Sequence, residues 1–234
     1  MVDEIIFKPK RPTTRDNYIG IEIECLMTPG DRQMFINYIN SYSLQWNVQL
    51  SDDGSIKDLK WKPIIETRNG MFGPYKKITN EHLQDMGCEI KILATEREAP
   101  NYINDVCDLL KQCNAYINRT CGLHVHIDMR NRDKDTVFKN LLSNQDTMFN
   151  MIPKARRKSK YCKPIKRSNE NGDRYKSINV KAYNEHRTIE VRLHEGTIDP
   201  IEIRKWCGFL LAACNNNFNA KVEEYINDRK SRYA

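Results

Sequence analysis

Three short segments each place ligand-type side chains two residues apart. They are Glu22 and Glu24; His124, His126 and Asp128; and Glu190, Arg192 and His194. In extended chain, residues i and i+2 share a face. If the three segments lie in one sheet, carboxylates, imidazoles and a guanidinium gather on one surface. Such crowding is costly unless cations sit within it. Carboxylate oxygens suit Mg²⁺, and imidazoles beside them also accommodate Mn²⁺. An arginine next to metal ligands is expected where phosphoryl oxygens must be neutralised. The set reads as a metal–nucleotide phosphate site. Cys88-Glu89-Ile90 adds a fourth carboxylate. Any one of these segments alone is an ordinary strand with a wet face; their coincidence carries the reading.

The opposite faces are apolar: Ile19, Ile21, Ile23 and Cys25; Leu123, Val125 and Ile127; Ile189, Val191 and Leu193. The alternation predicts strands over 18–27, 44–50, 88–94 and 121–129, with Trp61–Glu66 as a hairpin partner and 68–74 as loop. Residues 175–182 and 187–194 read as a hairpin turning at Asn184-Glu185-His186. Helical spacing marks 31–42, 100–117, 134–151 and 201–217, the last capped by Asp199 with Pro200 at its first position. Asp53-Gly54-Ser55 is a turn signal. Strands paired by hairpins with helices between them predict an α+β fold with a largely antiparallel sheet.

Composition limits the alternatives. The chain has 234 residues, 39% hydrophobic and 29% charged, and a mean hydropathy of −0.72, which is ordinary for a globular protein and excludes wholesale disorder. The longest apolar run, 208–214, is too short to span a bilayer. The first residues carry an early acidic pair and no apolar segment of the secretory type, so a cytoplasmic location is expected. The eight cysteines form no C-x-x-C pair and read as reduced core residues. Of the net charge of +7, eight positive charges fall within 154–167 (KARRKSKYCKPIKR), leaving −1 for the rest. A basic loop on a near-neutral body fits an anionic ligand at one site, a docking patch, or a solvated loop. No repeat or linker divides the chain, so one domain is expected over 1–234. Its core is 18–219, with a candidate insertion at 56–86 and a basic loop at 152–174.

The ordered series resembles the amidoligase family of carboxylate–amine ligases, relatives of glutamine synthetase and γ-glutamylcysteine synthetase. It comprises Gly20-x-Glu22-x-Glu24, Asp53-Gly-Ser55, Gly87-Cys-Glu89, Cys121-Gly-Leu-His124-Val-His126-Ile-Asp128, Arg174-Tyr-Lys-Ser-Ile-Asn179 and Thr188-Ile-Glu190-Val-Arg192-Leu-His194-Glu-Gly196-Thr197. Arg156-Arg157 followed by Tyr161-Cys162-Lys-Pro164 fits as well. The resemblance implies a glutamine-synthetase-like catalytic domain with a curved, mainly antiparallel sheet and helices on its convex face. It also implies ATP and two or three Mg²⁺ or Mn²⁺ ions. Glu22, Glu24 and Glu89 are then metal ligands, and His124 and Glu190 hold a metal bridging the nucleotide phosphates. His126 contacts phosphate and Arg192 stabilises the transferring group. The expected reaction makes an acyl phosphate from a carboxylate and ATP, which an amine converts to an amide, ADP and phosphate. One departure is plain: Glu89 is followed by Ile-Lys-Ile-Leu where the family usually has Ser-Pro.

Arg156 and Arg157 are placed in the site, holding a carboxylate or phosphate bidentately, with the loop lysines outside it as a dock for an anionic macromolecule such as nucleic acid or an acidic peptide. Tyr175 and Asn179 also have a structural reading. Two other functions stay open: an inactive nucleotide- or nucleic-acid-binding protein on the same fold, and a metal-dependent hydrolase. No membrane partner is expected; a homo-oligomer is compatible with the reading.

Overall fold

Ile19, Ile21 and Ile23 alternate with Gly20, Glu22 and Glu24, and this period of two sets β1 (Tyr18–Leu26) with its isoleucines in the core. The structure is a computed structural model that describes residues 16–42, 44, 47–56, 64–70, 73–79, 87–166 and 174–234. Chain order continues with α1 (Pro29–Ser41), β2 (Val48–Asp52), β3 (Ile64–Gly70), β4 (Gly73–Thr79), β5 (Gly87–Thr95), α2 (Ala99–Gln112) and β6 (Gly122–Asp128). Then come α3 (Lys134–Ser143), α4 (Gln145–Asn150), α5 (Lys154–Arg157), β7 (Ile178–Asn179), α6 (Ala182–His186), β8 (Thr188–Glu195), α7 (Pro200–Cys214) and α8 (Ala220–Arg232).

Six strands form one sheet in the order β2-β5-β1-β6-β8-β7, every neighbouring pair antiparallel. Helices α2, α3 and α7 join the apolar strand face in a single core, with Ile103, Val106, Leu141, Trp206 and Phe209 packed among the strand isoleucines and valines. The fold is α+β, as expected. All eight cysteines are buried and unbridged. The Asp199 side chain accepts from Ile201 N–H at 2.9 Å with Pro200 opening the helix, as the cap signal predicts.

Several elements differ from the sequence reading. Strands β3 and β4 pair with each other in a separate two-stranded sheet, so 68–70 and 73–74 are strand rather than loop, while β2 pairs with β5. Residues 61–63 and most of the 56–86 candidate insertion lie outside the described residues. The single helix expected over 134–151 breaks at Asn144 into α3 and α4; the Asn144 side chain bonds back to the Asn140 carbonyl and across to Asn216. The hairpin at 175–194 reduces to the two-residue β7, with α6 filling the connection. That helix ends on Arg187 in the left-handed region (φ 58°).

The most consequential difference is in β8. Between Leu123/His194 and Val125/Val191 the register with β6 shifts by one residue, a bulge that places an extra residue in β8. The simple alternation put His194 on the face of Glu190 and Arg192. Past the bulge its phase is changed, and His194 instead lies 4.9 Å from the Trp206 ring on α7, with Nε2 3.2 Å from Glu202.

His194 thereby joins a network that fastens α8. Arg229 donates to both Glu195 oxygens at 2.9 Å and to the Met151 carbonyl at 2.8 Å, and pairs with Glu202 at 3.2 Å. Tyr225 donates to Glu202 and Tyr233 to Glu195. Burial alone would raise the Glu202 carboxyl, but the hydrogen bonds to His194 and Tyr225 and the Arg229 charge lower it to about 2. A carboxyl depressed from 4.5 stabilises the fold fully above pH 4.5, and that contribution is lost as pH falls towards 2. Melting temperature is therefore expected to drop between pH 4.5 and 2, and Glu202→Gln is expected to flatten that drop. Parallel pH curves for the two proteins would remove Glu202 as the cause.

Candidate active site

Pairing register brings the predicted side chains together. Glu22 stands opposite Lys91 on β5 and His124 on β6, and Glu24 stands opposite Glu89. His126 stands opposite Glu190 on β8. Because each strand buries its apolar face, these residues have no alternative side on which to lie.

His124 is at the centre. Its Nδ1 is 3.2 Å from Glu22 and 3.7 Å from Glu190; its Nε2 is 3.4 Å from Glu24. His126 Nε2 is 3.2 Å from Glu22 and 3.9 Å from Glu190, while its Nδ1 is oriented by the Thr188 hydroxyl at 3.0 Å. Glu190 accepts from Asn179 Nδ2 at 2.6 Å and from Arg192, whose Nε also donates to the Tyr161 carbonyl at 3.3 Å. Glu24 accepts from the Gly122 N–H at 2.6 Å. Lys91 lies 2.9 Å from Glu89.

The electrostatics follow from burial and crowding. Burial pushes the Glu22 carboxyl up, but the adjacent imidazoles of His124 and His126 outweigh it and hold the group well below the usual range. Burial and the Glu22 charge raise Glu89 to about 7 against the opposing effect of Lys91. Burial would lower His126; the Glu22 and Glu190 carboxylates more than reverse this and raise it.

Two sets of donors, Glu22–His124–Glu190 and Glu24–Glu89–His124, each have ligand atoms within 4.8 Å of one another. Glu24, His124 and Glu190 are 6%, 2% and 3% exposed, and His126 Nε2 is buried without a hydrogen-bond partner. Buried carboxylates and imidazole nitrogens converging in this way fit the oxygen and nitrogen ligation of Mg²⁺ or Mn²⁺.

Arg156 and Arg157 separate. Arg156 lines the cleft, its guanidinium held by the Arg192 and Leu193 carbonyls at 3.0 and 3.3 Å. A Cβ at position 122 would push the Arg156 guanidinium aside. Arg157 does not reach the site. Successive helical residues point about 100° apart, and it donates to the Asn150, Ile152 and Tyr233 carbonyls instead. Lys158, Lys160, Lys163 and Lys166 are exposed, while Arg167 lies outside the described residues. Asn179 and Lys91 were not foreseen as partners of Glu190 and Glu89. Asn179 sits in a quoted motif; Lys91 carried no signal except its i+2 spacing from Glu89.

The cluster floors a cleft of about 480 Å³ lined by Glu22, Glu24, Glu89, His124, Glu190 and Arg192. An adjoining cavity of about 540 Å³ shares Glu22, Lys91 and His126 with it and is walled by Tyr18, Ile21, Val48, Ile92 and Leu93. Asp53 and Ser55 form a turn at the rim, Ser55 N–H donating to the Asp53 carboxylate at 2.7 Å.

An antiparallel sheet that carries buried glutamates, histidines and an arginine on one face defines an α+β protein with a candidate metal site. The family profile described as "Putative amidoligase enzyme" matches residues 74–171 and 167–214, more than half the sequence. The chain belongs to this amidoligase family. Among solved structures, the cryo-EM structure of Plasmodium falciparum glutamine synthetase is similar at 9% identity and a TM-score of 0.49, over 89% of this chain and 52% of that one. The chain thus spans about half the length of that protein. Comparison with curated proteins finds no match. Among the described residues, no helix is long and apolar enough to cross a membrane.

Proposed function

We propose that the chain is an ATP-dependent carboxylate–amine ligase of the cytoplasm. The observation that carries this is the meeting of Glu22, His124 and Glu190 with His126 and Arg192 in the polar cleft, where Glu22 and His126 also border the adjoining cavity. The more apolar cavity suits a nucleoside and the polar one suits the phosphates and the acceptor.

In the reaction, an oxygen of the substrate carboxylate attacks the γ-phosphorus of ATP and ADP leaves. An amine nitrogen then attacks the carbonyl carbon of the acyl phosphate, phosphate leaves, and the nitrogen loses a proton. A divalent cation held by Glu22, His124 and Glu190 would supply charge neutralisation for the nucleotide phosphates. Arg192 is fixed by Glu190 and the Tyr161 carbonyl, which leaves further donors of its planar fork for the transferring phosphoryl oxygens. His126, with Nδ1 tied to Thr188, presents Nε2 to a phosphate. Arg156 offers its guanidinium to an acceptor carboxylate. Positioning and fixed charge supply the rate, so the site needs no nucleophilic side chain.

Thermal unfolding with ADP or ATP, with and without Mg²⁺ or Mn²⁺, tests the reading. At 100 times its Kd a ligand stabilises by about 2.7 kcal/mol, a shift of several degrees for a domain of this size. A shift by nucleotide, over and above that of metal alone, is expected only when metal is present, and not in His124→Ala or Glu190→Ala. No joint shift, with stabilisation by oligonucleotides at low salt instead, would replace the ligase with a basic binding protein on the same fold.

A further inference from the structure

The resemblance implies two or three ions, but the two donor sets share one imidazole. A neutral imidazole has a single lone pair. Once His124 Nδ1 gives it to a cation among Glu22 and Glu190, Nε2 carries the proton and faces Glu24 at 3.4 Å. Glu24 then has one oxygen on the Gly122 N–H and the other on His124, the arrangement by which a carboxylate orients a metal-binding histidine.

The chain also places cations of its own beside the second set. Lys91 Nζ is 2.9 Å from Glu89. The Arg156 guanidinium stands over Gly122 beside His124 Nε2: a Cβ at 122 would meet both groups. Lys91 thus faces Glu89 and the Arg156 guanidinium flanks the His124 Nε2 that faces Glu24, whereas Arg192 is the cation against Glu190.

We propose that the chain binds one divalent cation, at Glu22, His124 and Glu190, and that the Lys91 ammonium, with Arg156, takes the place of a second ion at Glu24 and Glu89. This rests on the metal site of the ligase reading. Glu24 becomes a positioning residue for His124, and Lys91 a built-in cation at the floor shared by both cavities.

Titration of the nucleotide-free protein with Mn²⁺ alone, following the loss of the free-ion electron paramagnetic resonance signal, measures the count directly. About one equivalent is expected for wild type; for Lys91→Met a second, weaker one, held by the Glu24 and Glu89 carboxylates with water in place of the imidazole, making about two; and about one again for Lys91→Arg, which restores the cation. Circular dichroism of each variant confirms that it is folded. Two equivalents in wild type, or one in Lys91→Met, would overturn the substitution of lysine for metal while leaving the ligase reading in place. No bound Mn²⁺ in any of the proteins would overturn both.

Discussion

Arg192→Met is expected to slow ADP formation by about 10³-fold or more, the usual consequence of removing an arginine that neutralises a transferring phosphoryl group. The side chain is held from two directions, by Glu190 and by the Tyr161 carbonyl, so its charge is in place before any substrate arrives. Stabilisation that exists in the transition state but not in the bound nucleotide appears in kcat. Thermal stabilisation by ADP with Mn²⁺ should accordingly persist in the variant. The check is a coupled ADP assay on a carboxylate and amine pair found by screening, run beside the thermal measurement. An unchanged kcat would remove Arg192 from the chemistry; loss of the thermal shift would make it a binding residue.

Arg229→Met is expected to destabilise the fold by about 3–5 kcal/mol, because it strands the Glu195 and Glu202 carboxylates without their cation. At about 2–4 °C per kcal/mol, the melting temperature should fall by roughly 10 °C. Arg229 is only 1% exposed and ties α8 to β8, α7 and the Met151 carbonyl, while the carboxylates it leaves are 25% and 14% exposed, which places the loss towards the lower end of that range. Calorimetry of Arg229→Met and of the Arg229→Met/Glu195→Gln double variant separates the stranded charge from lost packing. If the double variant recovers nothing, packing rather than charge holds the helix.

The strands that build the site were legible because each carries an uninterrupted apolar face. In β1, β6 and β8 the period of two places the glutamates, histidines and arginine opposite the isoleucines and valines, and burial enforces that choice. Alternation has no signature for an inserted residue, so the bulge that takes His194 towards Trp206 was hidden in an otherwise regular pattern. Arg156 and Arg157 are chemically identical neighbours; only the 100° step of α5 and the carbonyls around it separate the cleft residue from the structural one. Asn179 depends on β7 being two residues long and hydrogen-bonded to β8, a tertiary fact that its short segment does not announce. The pairing of β3 with β4 failed for the same reason, since either could have matched β2 on local pattern alone.

The central position of β1 has a consequence for biosynthesis. Its two neighbours, β5 and β6, are both made after it: Asp128, the end of β6, leaves the ribosome 106 residues after Glu22. At 5–20 residues per second that interval is roughly 5–20 s. Until β5 and then β6 follow, an isoleucine-rich strand has open edges, the state most open to wrong pairing. The strand that anchors the chemistry is thus also the one most dependent on chaperone shelter while the chain is being made.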